Sequence, residues 1–353
     1  MKRYFYISAL IAAGLTAPAE AIAQEEDNVE EPSVVLPVKR PLVEEYTGLW
    51  CSFCPRGFVA LEEMAEQYGE DFVTISYHDN DALAAQNLKD RFPSRVNAYP
   101  GASIDRVSVF DPSLLKNAYP RYLAMETNAS VEVTLFWADE AHSALQATTE
   151  VTFIEDIENA DYKIAHILVA DGLSNPSWRQ SNAYTNSMDA SLTGEWWDLF
   201  TKGGNYVEGL TFNFVAVYSD GTKGIPGSVP TSIIAGEPIV YSSLVEPAKI
   251  VNLLNDEYVA NYGSLDKLRM VSVLIDGATG QVVNSHVSNY LGSEPDDVEI
   301  PEPSRVNSIN APELSETYYI DFSGCRVANP EKGVYIKVEN YSDGSRRASK
   351  IIF

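Results

Sequence analysis

The chain has 353 residues, 45% of them hydrophobic, enough to bury roughly two or three domain cores. It carries 25 basic against 50 acidic side chains, a formal net charge of -25, which excludes nucleic acid and anionic membrane surfaces as partners. Its three cysteines are too few to staple several domains as a disulfide scaffold.

Residues 1–23 read as a secretory signal. Lys2 and Arg3 are the basic start, Ile7 to Ala13 is mostly apolar, and Ala21-Ile22-Ala23 is a small-x-small cleavage site before Gln24. The apolar part is too short to span a bilayer, and no cysteine near the cleavage point indicates a lipid anchor. The mature chain is expected to be exported, to a compartment where disulfides persist. Residues 24–37 are acidic and proline-containing, and read as a disordered leader.

From Lys39 the pattern is α/β. Pro41 to Tyr46 reads as a short strand. Phe58, Leu61, Met64, Ala65 and Tyr68 recur at helical spacing until Gly69. Phe72 to Tyr77 is a β-branched strand, Asp81 can cap a helix from Ala82 to about Arg91, Ala102 to Val107 is a strand, and Ser113 to Met125 a helix despite Pro120. Near Asn128 the period changes. Ser130–Phe136, Ala147–Ile154, Tyr162–Val169, Thr211–Tyr218, Pro238–Ser243 and Met270–Ile275 read as strands between turn signals, the pattern of an antiparallel β-sandwich. A helix is expected between Pro247 and Tyr262. Residues 293–306 are acidic and proline-rich, and read as a linker. In the last module, 307–353, Thr317–Phe322, Val334–Glu339 and Arg346–Phe353 are strands, with a turn over Tyr341–Ser345.

Two of the cysteines stand three apart in Trp50-Cys51-Ser52-Phe53-Cys54-Pro55-Arg56, between the first strand and the first helix. A thiolate is the nucleophile in disulfide exchange, and a helix N-terminus favours it, so Cys51 is expected to attack. Cys54, expected one turn into the helix, resolves the mixed disulfide. Alone, this spacing also allows a static disulfide or, with His78, a copper or zinc site. His142, His166 and His286 lie scattered through β-rich sequence and read as packed or solvated. Trp196-Trp197 reads as core, with a sugar- or protein-binding face as the alternative. Arg56 reads as solvated, and Cys325 is left over as a free thiol.

Trp50, Cys51 and Cys54 together resemble the Trp-Cys-x-x-Cys of the thioredoxin superfamily. That resemblance implies that Glu45 is a buried acid handling protons for the resolving thiol, and that Pro100 is a cis-proline. With Trp50 and Tyr99, Pro100 would meet the substrate chain. Ser52-Phe53 departs from the common Gly-Pro, and the usual final hairpin is hard to find after Val107. A second resemblance is to Omp28-related outer-membrane proteins of the Bacteroidetes. It rests on Tyr46-Thr47-Gly48 before Cys51-Ser52-Phe53-Cys54-Pro55-Arg56, and on Tyr99-Pro100 before Ile104-Asp105-Arg106. It implies a thioredoxin-like α/β domain over 38–127, followed by an all-β sandwich-like domain over 128–292. The tail, with Asp321 to Val327 and Lys332 to Ile336, resembles a type IX secretion sorting domain.

The resemblances imply an exported thiol–disulfide oxidoreductase at the outer membrane, cell surface or periplasm. Its partners would be protein thiols or disulfides and outer-membrane or surface components, with no cofactor and no metal. The alternative is a non-enzymatic surface binding protein whose Cys51–Cys54 bridge stays closed.

Overall fold

The computed structural model describes residues 36–85, 88, 94, 96–246, 267–291, 314–320, 326–327, 330, 334–341 and 346–352. The signal, nearly all of the leader, half of the expected 82–91 helix, the expected 247–262 helix, the 293–306 linker, Cys325 and the tail turn at 342–345 lie outside these residues.

The described chain is mostly β. Its organising element is a mixed eight-stranded sheet, built from β1 (Val43–Thr47), β2 (Thr74–His78), β3 (Gly101–Ile104), β4 (Val109–Phe110), β8 (Tyr162–Ala170), β11 (Val215–Ser219), β14 (Leu268–Asp276) and β15 (Val282–Val287). The strand order is β15-β14-β8-β11-β2-β1-β3-β4. β1 and β2 run parallel, with Glu45 opposite Ser76 and Thr47 opposite His78. β3 returns antiparallel to β1, and β4 antiparallel to β3. The sheet therefore takes strands from both sides of residue 128. The two groups meet at one parallel pair, Val215 opposite Ser76, where Ser76 N–H donates to the Phe214 carbonyl at 2.8 Å.

Parity sorts the side chains of β1 and β2. Val43, Glu45 and Thr47 share a face with Ser76 and His78, while Glu44, Tyr46, Ile75 and Tyr77 point the other way. Every residue of both strands is buried, charged ones included, as happens where a sheet is covered on both faces. On the far face, Arg106 reaches Glu44 at 2.8 Å beside the stacked rings of Tyr46 and Tyr77. Lys39 pairs with Asp105 at 2.7 Å, and both are buried. Removing one partner of such a pair strands a buried charge, which costs about 3–5 kcal/mol.

The Glu45 face carries α1 (Pro55–Tyr68). Its apolar stripe, Leu61 and Met64, packs with Val43, Ile104 and Phe214, and with Leu115 and Tyr119 of α2 (Leu115–Leu123). α1 begins one turn later than the sequence suggests. Cys54 is its N-cap and Pro55 its first residue, because a proline lacks the N–H that a helix start leaves unbonded anyway. Gly69 ends it at φ 61°, the left-handed region that glycine tolerates. The expected helix after Asp81 is not formed in its described part: Ala82 and Leu83 are in a turn, and the Asp81 carboxylate accepts the Leu83 N–H at 2.8 Å. After β3 the chain turns back into a short antiparallel partner, only the two residues of β4, which the sequence pattern does not show.

The remaining strands are β5 (Ala129–Trp137), β6 (Leu145–Phe153), β7 (Ile157–Glu158), β9 (Arg179–Ser181), β10 (Tyr206–Glu208), β12 (Ser232–Ile233) and β13 (Pro238–Val245). β13-β6-β5 form a three-stranded antiparallel sheet. Its alternating inward residues, among them Val131, Val151 and Phe153, share a core with Ile164 of β8 and Leu274 of β14. His166 bridges this packing, with Nε2 2.7 Å from Thr149 Oγ1 and Nδ1 2.7 Å from Ser243 Oγ. Burial lowers its pKa to about 3, so it is neutral. His142 stacks on Trp137, and His286 Nδ1 accepts the Val133 N–H at 3.0 Å. The tail forms its own antiparallel sheet of β16 (Leu314–Ile320), β17 (Arg326–Val327), β18 (Val334–Tyr341) and β19 (Arg346–Ile352), in the order β17-β16-β18-β19. No helix among the described residues is long and apolar enough to cross a membrane.

Candidate functional site

Cys51 and Cys54 form a disulfide with Cα atoms 5.3 Å apart, in the turn that leads from β1 into α1. The turn is closed by Cys51 N–H donating to Gly48 and Cys54 N–H to Cys51. Cys51 is 6% exposed and Cys54 1%, while Trp50 and Phe53 between and beside them are about half exposed, at 49% and 53%. The bridge is thus buried, while the neighbouring rings of Trp50 and Phe53 project to the surface.

Each ring has a partner. Trp50 donates from Nε1 to the Asp79 carbonyl at 2.7 Å and meets the Tyr99 ring edge-on at 5.3 Å. Tyr99 donates its hydroxyl to the Asp79 carboxylate at 2.9 Å. Gly48 permits this fold-back, since a Cβ there would stand 2.6 Å from Trp50 Nε1. The Tyr99–Pro100 peptide is cis, immediately before Gly101 pairs with Tyr46. Phe53 contacts Tyr184, and the Arg56 guanidinium lies over its ring at 5.7 Å. Arg56 itself pairs with Asp111 at 2.7 Å.

The turn is backed by a segment without a sequence signature. Gln180 of β9 is buried and donates from Nε2 to the carbonyls of Cys51 at 2.9 Å, Ser181 at 3.1 Å and Gly48 at 3.4 Å. Ser181 and Ala183 donate their N–H groups to Leu49 and Ser52. Together these hold the Cys51 turn from behind.

Beneath α1 lies the acid. Glu45 is 2% exposed, and its Oε2 accepts from the Ser76 hydroxyl at 2.8 Å. Its Oε1 is buried with no hydrogen-bond partner. Burial raises its pKa, against the opposing pull of Ser76, His78 and Thr47. The carboxyl lies against Gly57, one helical turn from Cys54: a Cβ on Gly57 would stand 2.0 Å from Oε1. His78 is buried rather than solvent-facing, with Nδ1 2.8 Å from Asp81. Burial alone would raise Asp81, but His78 and the N–H groups of Leu49 and Leu83 hold it below the usual carboxylate range. Among the described residues, no group of three or more His, Cys, Asp or Glu side chains is placed to hold a metal ion.

Of the residues singled out in the sequence, Cys51, Cys54 and Trp50 therefore cluster with Tyr99, and Glu45 lies under the same helix. Trp197 is buried and Trp196 half-buried on α3 (Glu195–Thr201), packed with Phe58 of α1. Gln180, Asp79 and Glu62 of α1 were not singled out, nor was the pairing of His78, read as a possible metal ligand, with Asp81, read as a helix cap. Only Glu62 had a readable signal, as an acid four residues after Phe58 on the apolar stripe of α1.

No family model matches the chain, and no curated protein matches it. Among solved structures, HBP35 of Porphyromonas gingivalis aligns over 90% of this chain and 99% of its own, at 15% identity and a TM-score of 0.48. A structural-genomics protein of Agrobacterium tumefaciens aligns over 75% of this chain and 99% of its own, at 15% identity and a TM-score of 0.40. A domain of the outer membrane lipoprotein Omp28 from Porphyromonas gingivalis covers 47% of this chain and 90% of its own, at 12% identity and a TM-score of 0.23. These likenesses carry no functional argument, and the function has to be read from the site.

Proposed function

We propose that this chain is an exported thiol–disulfide oxidoreductase of the cell envelope, with Cys51 and Cys54 on a thioredoxin-like α/β core that β-rich sequence extends. The carrying observation is the buried Glu45 carboxyl. A closed structural bridge has no use for an acid whose unpartnered oxygen lies against Gly57, the residue one helical turn after Cys54. Such a group is costly to bury and is more at home beside chemistry that moves a proton.

In this reading the reduced Cys51 thiolate attacks a protein disulfide. A Cys51–substrate bond forms, and one substrate sulfur leaves as a thiolate that takes up a proton. Cys54 then gives its proton to the Glu45 carboxylate. Its thiolate attacks the Cys51 sulfur, forming the Cys51–Cys54 bond and releasing the second substrate thiolate. The enzyme pair is oxidised and the substrate disulfide reduced; the reverse sequence oxidises a substrate dithiol. Trp50, Phe53 and Tyr99 would offer the substrate chain an apolar surface. Cys54→Ala is expected to accumulate mixed disulfides through Cys51, and Cys51→Ser to abolish them. A Cys54→Ala variant that traps no partner, beside a wild-type bridge that resists reduction, removes the proposal.

One observation favours a second reading, a surface binding protein with a permanent bridge. Cys51 and Cys54 are 6% and 1% exposed, and Gln180 braces their turn. In that case substrate turnover is absent, and Cys51→Ser alters only stability.

A further inference from the structure

Beneath α1, Glu45 and Glu62 line one small, partly open cavity of about 20 Å³, together with His78, Gln180 and Asn213. That is room for a single water, which needs on the order of 10–15 Å³ and two or more polar partners. The polar partners are present. Glu45 Oε1 is buried and unpartnered, and Glu62 is 6% exposed with Oε1 accepting from Asn213 Nδ2 at 2.9 Å. Glu62 is also the less buried of the two acids, at 6% exposed against 2% for Glu45; Glu66, one turn along α1, accepts from Nε1 of the half-buried Trp196 at 2.9 Å.

We propose that Glu45 and Glu62 form a coupled acid pair, joined by one ordered water in this cavity, through which the buried proton of Glu45 exchanges with solvent. Two carboxylates facing one buried cavity cannot both ionise freely, so one proton is held by the pair rather than by either residue. The thiol origin of that proton rests on the thiol–disulfide reading; the pairing of the acids does not.

Every charged group facing Glu62 bears on its titration. Glu45 of β1 and Glu66 of α1 raise it, as does Asp171, which follows β8. Asp171 is itself tied to Arg269 of β14 at 2.6 Å and accepts the Tyr290 hydroxyl at 2.9 Å. On the β2 side stand His78 and Asp81. Burial is the largest influence and Asn213 opposes it, leaving Glu62 at about 7.

The test is a carbon-13 NMR titration of the carboxyl carbons in the oxidised full chain, with Glu62 assigned from the signal lost in Glu62→Gln. A midpoint near 7 is expected, falling in Glu45→Gln and rising in Asn213→Leu. An ordinary carboxylate midpoint for Glu62, or one unmoved by Glu45→Gln, overturns the proposal. Because no turnover is needed, failure here is distinct from failure of the thiol–disulfide reading. A second measurement joins the two: the midpoint potential of the Cys51–Cys54 pair should bend with pH near 7 in the wild type and lose that bend in Glu62→Gln. The same bend in both proteins also overturns the relay.

Discussion

Replacing Glu62 by Gln gives a stability test that needs no knowledge of the substrate. The amide keeps the shape and can still bond Asn213, but it cannot ionise. In the folded chain burial lifts this carboxyl from the usual 4.5 to about 7, so the folded state holds the proton more tightly than the unfolded one. Its contribution is therefore complete below pH 4.5 and is lost as pH rises through 7. At about 1.4 kcal/mol per tenfold difference in proton affinity, the wild type loses about 3 kcal/mol relative to Glu62→Gln between pH 4 and pH 8. Urea unfolding of both proteins across that range reads the difference directly. Curves that diverge as pH rises, with the variant ahead above pH 7, are expected. Parallel curves refute the idea that Glu62 is an acid held neutral by its surroundings.

His166 should show the opposite slope. Its folded pKa of about 3 lies below the ordinary 6.5, so stability is full above pH 6.5 and falls as pH drops toward 3, by about 1.4 kcal/mol per pH unit. His166→Gln should flatten that acid limb in urea titrations. Gly57→Ala places a Cβ on the Glu45 carboxyl and is expected to cost about 1–3 kcal/mol, with Glu45→Ala restoring most of it in a double-mutant cycle. Gln180→Ala leaves the Cys51 carbonyl short of a donor. It is expected to cost about 1–3 kcal/mol and to speed reduction of the bridge by dithiothreitol; an unchanged reduction rate would show that β9 does not brace the turn.

Local patterns were legible in the chain. The spacing of Phe58, Leu61, Met64 and Ala65, with Gly69 as a stop, marks α1 to within a turn, and the alternation over Ala147–Ile154 marks β6 to within two residues at each end. What escaped is what local pattern cannot carry. β4 is two residues long, shorter than any period. β11 joins β2 through a single pair at Val215 and Ser76, a contact set by the packing of distant segments. At the site, the Cys51 and Cys54 spacing was readable as a close pair that a bridge can join, and the Trp50–Tyr99 neighbourhood followed from the thioredoxin resemblance rather than from spacing. Gln180 was not readable, since it sits in irregular sequence and acts through backbone carbonyls. His78 follows an apolar strand and could as well have faced solvent. Only the register that puts it opposite Thr47, on the Glu45 face, shows that it is enclosed.

Whether Cys51 and Cys54 exchange electrons is settled most directly by a redox titration. The full chain is equilibrated across glutathione and dithiothreitol ratios, and free thiols are counted by alkylation and mass spectrometry. An active pair titrates reversibly with a midpoint between roughly -120 and -300 mV, the span of thiol–disulfide catalysts and the upper limit of structural bridges. A pair that stays oxidised throughout that range contradicts the oxidoreductase reading and leaves the bridge a fixed part of the turn.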